Sequence, residues 1–325
     1  MIWGIFATGS IANNFAKTIT QMQGDSVITA VASRDLQKAQ AFAEKYDIPK
    51  QYGSYDELVN DSEVDVVYVA TSHSAHYENM KLCLENGKHV LCEKSFTVSA
   101  AQAEKIYALA KEKGLFVMEA FWTKLIPVYR KVEKLISDGV IGEVRLLTAQ
   151  YGFSVKGARA ERKFDPQLAG GALLDIGVYN IGFAAMILGY NPKTVFSSVS
   201  LNELGTDDFS GIMLQYENGA IAQLTTAIQT DMPTLGCIYG SKGCIDIPNF
   251  KKPEALAVHL TYGSSLKIEQ EYLSTGFEFE IREVEECILS GKTYSSIMSP
   301  EQSICVMRIM DRVREIWQMR FPFEE

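Results

Sequence analysis

The chain is poor in the residues that staple a fold, hold a metal or anchor a membrane. Its six cysteines (Cys83, Cys92, Cys237, Cys244, Cys287 and Cys305) are scattered without a C-x-x-C pair, so they read as reduced core residues and not as a disulfide framework. Of only four histidines, His73 and His76 lie close together but have no cysteine or carboxylate partner at zinc-like spacing, and no metal site is expected. Positive charge is in deficit: 31 Lys plus Arg against 40 Asp plus Glu give a formal charge of -9. That argues against a nucleic-acid footprint, which would need a basic patch, and fits a protein handling small molecules. No basic-plus-apolar leader opens the sequence, and no apolar run approaches the roughly 20 residues of a membrane span. A cytoplasmic protein without a membrane partner is the expectation. Internal repeats, low-complexity tracts and flexible linkers are missing as well.

What is present begins with the first line. An apolar strand, Ile2 to Phe6, runs into Ala7-Thr8-Gly9-Ser10-Ile11-Ala12. This is the dinucleotide spacing G-x-G-x-x-G/A with alanine at its first position: Gly9 lets backbone approach a phosphate and Ala12 permits close helix-strand packing. N–H groups at the opening of the helix would attract the pyrophosphate. Small residues after a strand can also make no more than a tight turn. A second strand, Val27 to Ala32, ends in Ser33-Arg34-Asp35 with Lys38 beyond, where a dinucleotide domain reads the adenine ribose. Serine and arginine offer donors and positive charge to a 2'-phosphate, which favours NADP over NAD. Asp35 would instead accept from a free 2'-hydroxyl if the register slips, and Arg34 and Lys38 also fit plain solvated charges.

At 325 residues with 47% hydrophobic and 22% charged content, there is material for two ordinary globular domains. Strands expected at Ile2-Phe6, Val27-Ala32, Val66-Ala70, His89-Cys92 and Leu115-Met118 alternate with helices at 11–22, 36–46, 77–86 and 100–113, the pattern of a doubly wound parallel sheet. After a helix near 128–137 the texture turns β-rich: 144–153, 194–201, 209–216, 220–228, 235–239 and 244–247, with Asn218-Gly219 as a hairpin turn. One helix, 172–188, interrupts these strands, and two more, 277–289 and 300–319, close the chain. The reading is an α/β Rossmann-type N-terminal domain (1–120, NAD(P)-binding), then an α+β domain (121–325, substrate-binding and dimerising) with a large open, mostly antiparallel sheet.

Two clusters carry candidate chemistry. Glu93 and Lys94 follow the fourth strand, at the carboxyl edge where ligands of open α/β sheets bind. A lysine there can bond a substrate hydroxyl or lower a neighbouring acid's pKa; it also fits a surface lysine capping a strand end. Downstream, Arg162-Lys163-Phe164-Asp165-Pro166 precedes Gly170-Gly171-Ala172-Leu173-Leu174-Asp175-Ile176-Gly177-Val178-Tyr179. Asp175 and Tyr179, at i and i+4, share a face of an otherwise apolar helix, so they should point at something polar. A phenol titrating near pH 10 becomes accessible as a phenolate beside an ammonium and an oxidised nicotinamide. An aspartate helping to cap a turn and a tyrosine reaching its hydroxyl to water explain the same residues.

Taken together and in order, these motifs resemble the glucose-fructose oxidoreductase/inositol dehydrogenase (Gfo/Idh/MocA) family, and within it the dimeric dihydrodiol dehydrogenase and NADP-dependent xylose dehydrogenase branch. The carriers are Trp3 to Ala12, Ala32 to Asp35, Val64 to Thr71 with His76, Gly87 to Lys94, Met118 to Trp122 and Gly170 to Tyr179. The resemblance covers nearly the whole chain. It implies Tyr179 as the acid-base residue, Lys94 at nicotinamide and substrate, and Asp175 assisting at the substrate. It also implies Phe121 and Trp122 as walls of the nicotinamide pocket, Thr71 and His76 along the cofactor, and Arg162 or Arg159 reaching the substrate. Ala7, Thr8, Gly9, Ser10, Ile11, Ser33, Arg34, Lys38 and Glu93 complete the cofactor set. Three departures stand out. Ser95 replaces a proline often in a cis bond, so Lys94 would be presented differently; Ala7 replaces the first fingerprint glycine, and Ala169 the first of three glycines before Ala172. The implied activity is an NADP-dependent dehydrogenase, with NAD as the other cofactor, acting on a sugar, polyol or trans-dihydrodiol. The implied assembly is a homodimer through the C-terminal sheet, or a tetramer. A nicotinamide-dependent glycosidase and a non-catalytic NADP-binding regulator are the alternative functions.

Overall fold

Short apolar runs that cannot cover themselves pair edge to edge in the first half of the chain. These are β1 (Ile2–Phe6), β2 (Val27–Ala32), β3 (Lys50–Tyr52), β4 (Val66–Val69), β5 (His89–Glu93) and β6 (Val117–Ala120). All their pairings are parallel, in the order β3-β2-β1-β4-β5-β6, the strand order of a doubly wound dinucleotide domain. Every residue of β4 is buried, as a strand with helices over both faces requires. The computed structural model describes residues 1–22, 24, 26–263 and 265–324, apart from the side chains of 158 and 159.

The second sheet has eight strands: β7 (Val144–Ser154), β8 (Thr194–Leu201), β9 (Asp207–Gln215), β10 (Ile221–Ala227), β11 (Gln229–Gly240), β12 (Gly243–Pro248), β13 (Ala255–Leu260) and β14 (Leu266–Glu269). Their order is β14-β13-β12-β11-β7-β10-β9-β8. Among the described residues only the β7–β10 pairing is parallel, so the sheet is mostly antiparallel. The hairpin expected at Asn218-Gly219 forms, with Gly219 at φ +82° and Tyr216 N–H donating to the Ala220 carbonyl. Along β10, Ala222, Leu224 and Thr226 are buried while Ile221, Gln223 and Thr225 are not, so one face packs and the other faces out. The helix Val178–Leu188 lies on the packed face and is itself buried from Val178 to Ala185.

By contacts, the chain divides into two compact units: Met1–Leu125 with Tyr272–Ile304, and Ile126–Glu271 with Cys305–Glu325. Residues 272–304 thus pack with the dinucleotide domain and not with the sheet that precedes them. Several short elements stand outside the sequence expectation, among them β3, β13, β14 and the helices Tyr55–Val59, Trp122–Leu125 and Ala158–Phe164. The expected helix 172–188 opens with a π-helical turn, Leu173–Gly177, before its α-helical part. The expectation about apolar runs needs correction too. Pro166–Leu188, 23 residues, is long and apolar enough to cross a membrane by composition, yet 78% of its apolar window is buried inside the fold. Its hydrophobicity belongs to the core.

Candidate functional site

In the first unit, Gly9 is the N-cap of the helix Ser10–Gln21, without a side-chain cap or an acidic residue in the first turn. A Cβ built on Gly9 would meet nothing within 4 Å. Ala7 adopts φ 73° and its N–H donates to the Ala32 carbonyl at 2.9 Å, which holds the turn back from the helix opening. Unobstructed space before uncapped, positively polarised N–H groups fits a dinucleotide pyrophosphate. At the end of β2, Asp35 caps the helix Leu36–Tyr46, accepting from the Gln37 and Lys38 N–H groups. Both cap bonds go to Oδ1; beside Asp35, Ser33 is buried and Arg34 is exposed.

The Lys94–Ser95 peptide bond is cis. His76 is fully buried. Its Nδ1 lies 2.9 Å from the Ser95 carbonyl and its Nε2 3.3 Å from the Thr71 carbonyl. Burial lowers its pKa to about 4, so it is a neutral strut beneath Ser95 rather than a surface group. Asn79 Nδ2 donates to Thr71 Oγ1 at 2.9 Å. Glu93, also buried, accepts from the Tyr68 hydroxyl, and burial raises its pKa. Glu119 accepts from the Phe96 N–H at 3.2 Å; desolvation pushes its carboxyl up to about 7. Phe121 is buried, while Trp122 is half-buried and meets Phe277 edge-on at 5.1 Å.

In the second unit, the inner-face row of β7 ends in Tyr151 and Phe153, and polar groups gather there. Asp175, on the π-turn, accepts from Lys163 Nζ, which lies 5.3 Å from the centre of the Phe153 ring. Tyr179 meets Tyr151 edge-on at 6.1 Å. Lys251 Nζ donates to Tyr151 Oη at 2.8 Å. Burial lowers the Lys251 pKa, and the Asp175 carboxylate opposes that shift. Two ammonium groups, one carboxylate and two phenols thus share one end of the sheet. Arg162, by contrast, is exposed, and the side chain of Arg159 lies outside the described residues.

The glycine pair explains how this helix is seated. A Cβ on Gly170 would stand 2.5 Å from the Lys163 carbonyl oxygen, and one on Gly171 2.1 Å from Asp207 Oδ1. Gly171 N–H donates to that same carbonyl at 2.8 Å. Asp207 is fully buried, accepts from the Leu173 N–H at 2.6 Å, and is pushed up to about 7 by desolvation. One turn past the π-segment, Asn180 Nδ2 donates to the Thr225 carbonyl and to Thr226 Oγ1 at 2.9 and 2.8 Å. Tyr179 is therefore fixed from both sides along the chain. Lys163, Tyr151, Lys251 and Asp207 escaped the sequence reading. Lys163 stood beside the chosen Arg162, but nothing local marks the other three.

Residues 1–121 match the oxidoreductase family with the NAD-binding Rossmann fold, and 129–246 match the GFO/IDH/MocA C-terminal domain. The trans-1,2-dihydrobenzene-1,2-diol dehydrogenase of Xenopus tropicalis is 36% identical over 98% of this chain and 99% of its own; that of Mus musculus is 34% identical over 98% of each. A 3-ketoreductase from Actinomadura kijaniata, solved with NADP and TDP-benzene, superposes with a TM-score of 0.89 at 27% identity, covering 97% of both chains. The chain belongs to the Gfo/Idh/MocA family of oxidoreductases. It is a nicotinamide-dependent dehydrogenase acting on CH–OH groups.

Proposed function

We propose that the protein transfers hydride between NADP and a hydroxyl-bearing carbon of a sugar, polyol or trans-dihydrodiol. The observation that carries this reading is Tyr179, held on a buried helix with its ring against Tyr151 and with Asp175, Lys163 and Lys251 gathered at the same end of the sheet. When bound, the nicotinamide supplies the hydride acceptor. Tyr179 takes the hydroxyl proton as the C–H bond breaks, Lys94 stabilises the developing alkoxide, and Asp175, kept in place by Lys163, orients the substrate. Glu93 and the His76–Ser95 contact support the Lys94 segment from below.

The preference for NADP rests on Arg34 and Ser33, with Asp35 engaged as a helix cap; NAD is the weaker cofactor on this reading. A homodimer through the outer face of the second sheet is supported by the exposed Phe196 and Phe209 on β8 and β9. The deciding experiment is absorbance-monitored reduction of NADP and NAD against aldoses, inositols and a trans-dihydrodiol. Turnover should require NADP most, and Tyr179→Phe should lose about 10²–10⁴-fold in turnover. Near-normal turnover in that variant, with cofactor affinity intact, removes Tyr179 from the role of proton carrier.

A further inference from the structure

Lys251 lies on a turn built to hold its side chain in one place. Asn249 N–H donates to the Thr234 carbonyl at 2.6 Å, Lys252 N–H to the Asn249 carbonyl at 2.7 Å, and Asn249 Nδ2 to the Lys252 carbonyl at 2.9 Å. Phe250 is fully buried, its carbonyl accepts from the Tyr129 hydroxyl, and its ring lies 5.0 Å from that of Phe183. Phe183 is one turn beyond Tyr179 on the same helix, so the turn bearing Lys251 is tied to the helix bearing Tyr179. From there the Lys251 ammonium reaches Tyr151 Oη at 2.8 Å, 4.6 Å from that ring's centre. The Tyr151 ring in turn meets Tyr179.

Among the described contacts, the ammoniums of Lys163 and Lys251 and the carboxylate of Asp175 meet in this group. A saturated hydrocarbon placed against it would strip water from the ammonium and return no hydrogen bond. A carboxylate would return a charge-assisted hydrogen bond, among the stronger kinds available. We infer that Lys251, presented by Tyr151, forms a subsite for a carboxylate carried by the substrate, which makes the preferred substrate a polyhydroxylated acid. The inference rests on the reading of Tyr179 as the proton carrier. Burial of Lys251 weakens the competition from water and so sharpens the discrimination between acid and neutral analogue.

The test compares neutral aldoses with their uronic and aldonic acids, using wild type, Lys251→Met and Lys251→Arg with saturating NADP. Titration calorimetry of the NADPH-loaded protein with the same compounds runs in parallel. Wild type should favour an acid over its neutral partner by tenfold or more in kcat/KM. Lys251→Met should lose about 10- to 100-fold on the acid, mostly as a rise in KM, and far less on the neutral sugar. Lys251→Arg, which keeps the charge, should recover part of the preference. Equal use of acid and neutral sugar by wild type, or equal losses on both in Lys251→Met, overturns the subsite. Acid binding that depends on Lys251 without any turnover would keep the subsite and overturn the dehydrogenase reading of Tyr179. NADP-dependent turnover of neutral sugars with no acid binding would do the reverse.

Discussion

Two glycine turns open the two helices on which the chemistry depends, and they use the missing side chain in opposite ways. In front of Gly9 a Cβ would enter open space, whereas at Gly170 and Gly171 it would strike the Lys163 carbonyl and the Asp207 carboxylate. On the proposed reading, the first turn keeps room for a ligand's phosphates. The second is filled by the protein's own polar atoms, and what it preserves is the seating of the helix that presents Asp175 and Tyr179. A glycine in a sequence reports that a side chain would be in the way, but not whether a ligand or the chain itself takes the space.

The contrast breaks most visibly at Gly171. Its φ of +123° and the 2.1 Å approach to Asp207 leave no room for a branched side chain, so Gly171→Val should lose about 3 kcal/mol or more in denaturant unfolding; an unchanged midpoint would mean that this turn is as open as the first. Gly9→Val should act the other way round. NADPH affinity should fall tenfold or more, about 1.4 kcal/mol, while the unfolding free energy moves by less than about 0.5 kcal/mol. Loss of both together would show that Gly9 is a folding residue. A further effect is a pH dependence at Asp207. Its carboxyl titrates at about 7 in the fold and near 3.9 in an unfolded chain. The raised value means that its contribution to stability is complete below about pH 4 and is lost as pH rises through about 7. Asp207→Asn should therefore flatten the fall in unfolding free energy between about pH 4 and 7. Some slope should persist, because Glu119 is also raised to about 7; a slope identical to wild type would place the buried proton elsewhere.

Much of the architecture was legible because it repeats over several residues. The apolar runs of β1, β2, β4 and β5 carry their burial in composition, and Asn218-Gly219 carries its turn in two residues. β3, at three residues, and the five-residue helix Tyr55–Val59 are too short for any period to show. Which unit claims 272–304 is decided by contacts distant in sequence, such as Thr18 with Thr275 through their hydroxyls at 2.6 Å and the Trp122–Phe277 ring pair. The candidate site divides along the same line. Asp175 and Tyr179 declared themselves as polar residues in an apolar helix, whereas Lys251 is one lysine of a polar turn, 100 positions from the tyrosine it meets. Arg162 was named, with Arg159, from the resemblance; the seven-residue helix Ala158–Phe164, with Arg162 exposed and Lys163 bonded to Asp175, left no trace in the pattern.

The helix Val178–Leu188 is enclosed along most of its length, so almost any replacement there disturbs the core. Lys251, on a turn fixed by its backbone, can be exchanged with little injury to the fold. As this scaffold diversifies, mutation should therefore find the molecule's selectivity far easier to rewrite than its reaction, with new substrates arising from changes at such turns while the phenol on the buried helix stays where it is.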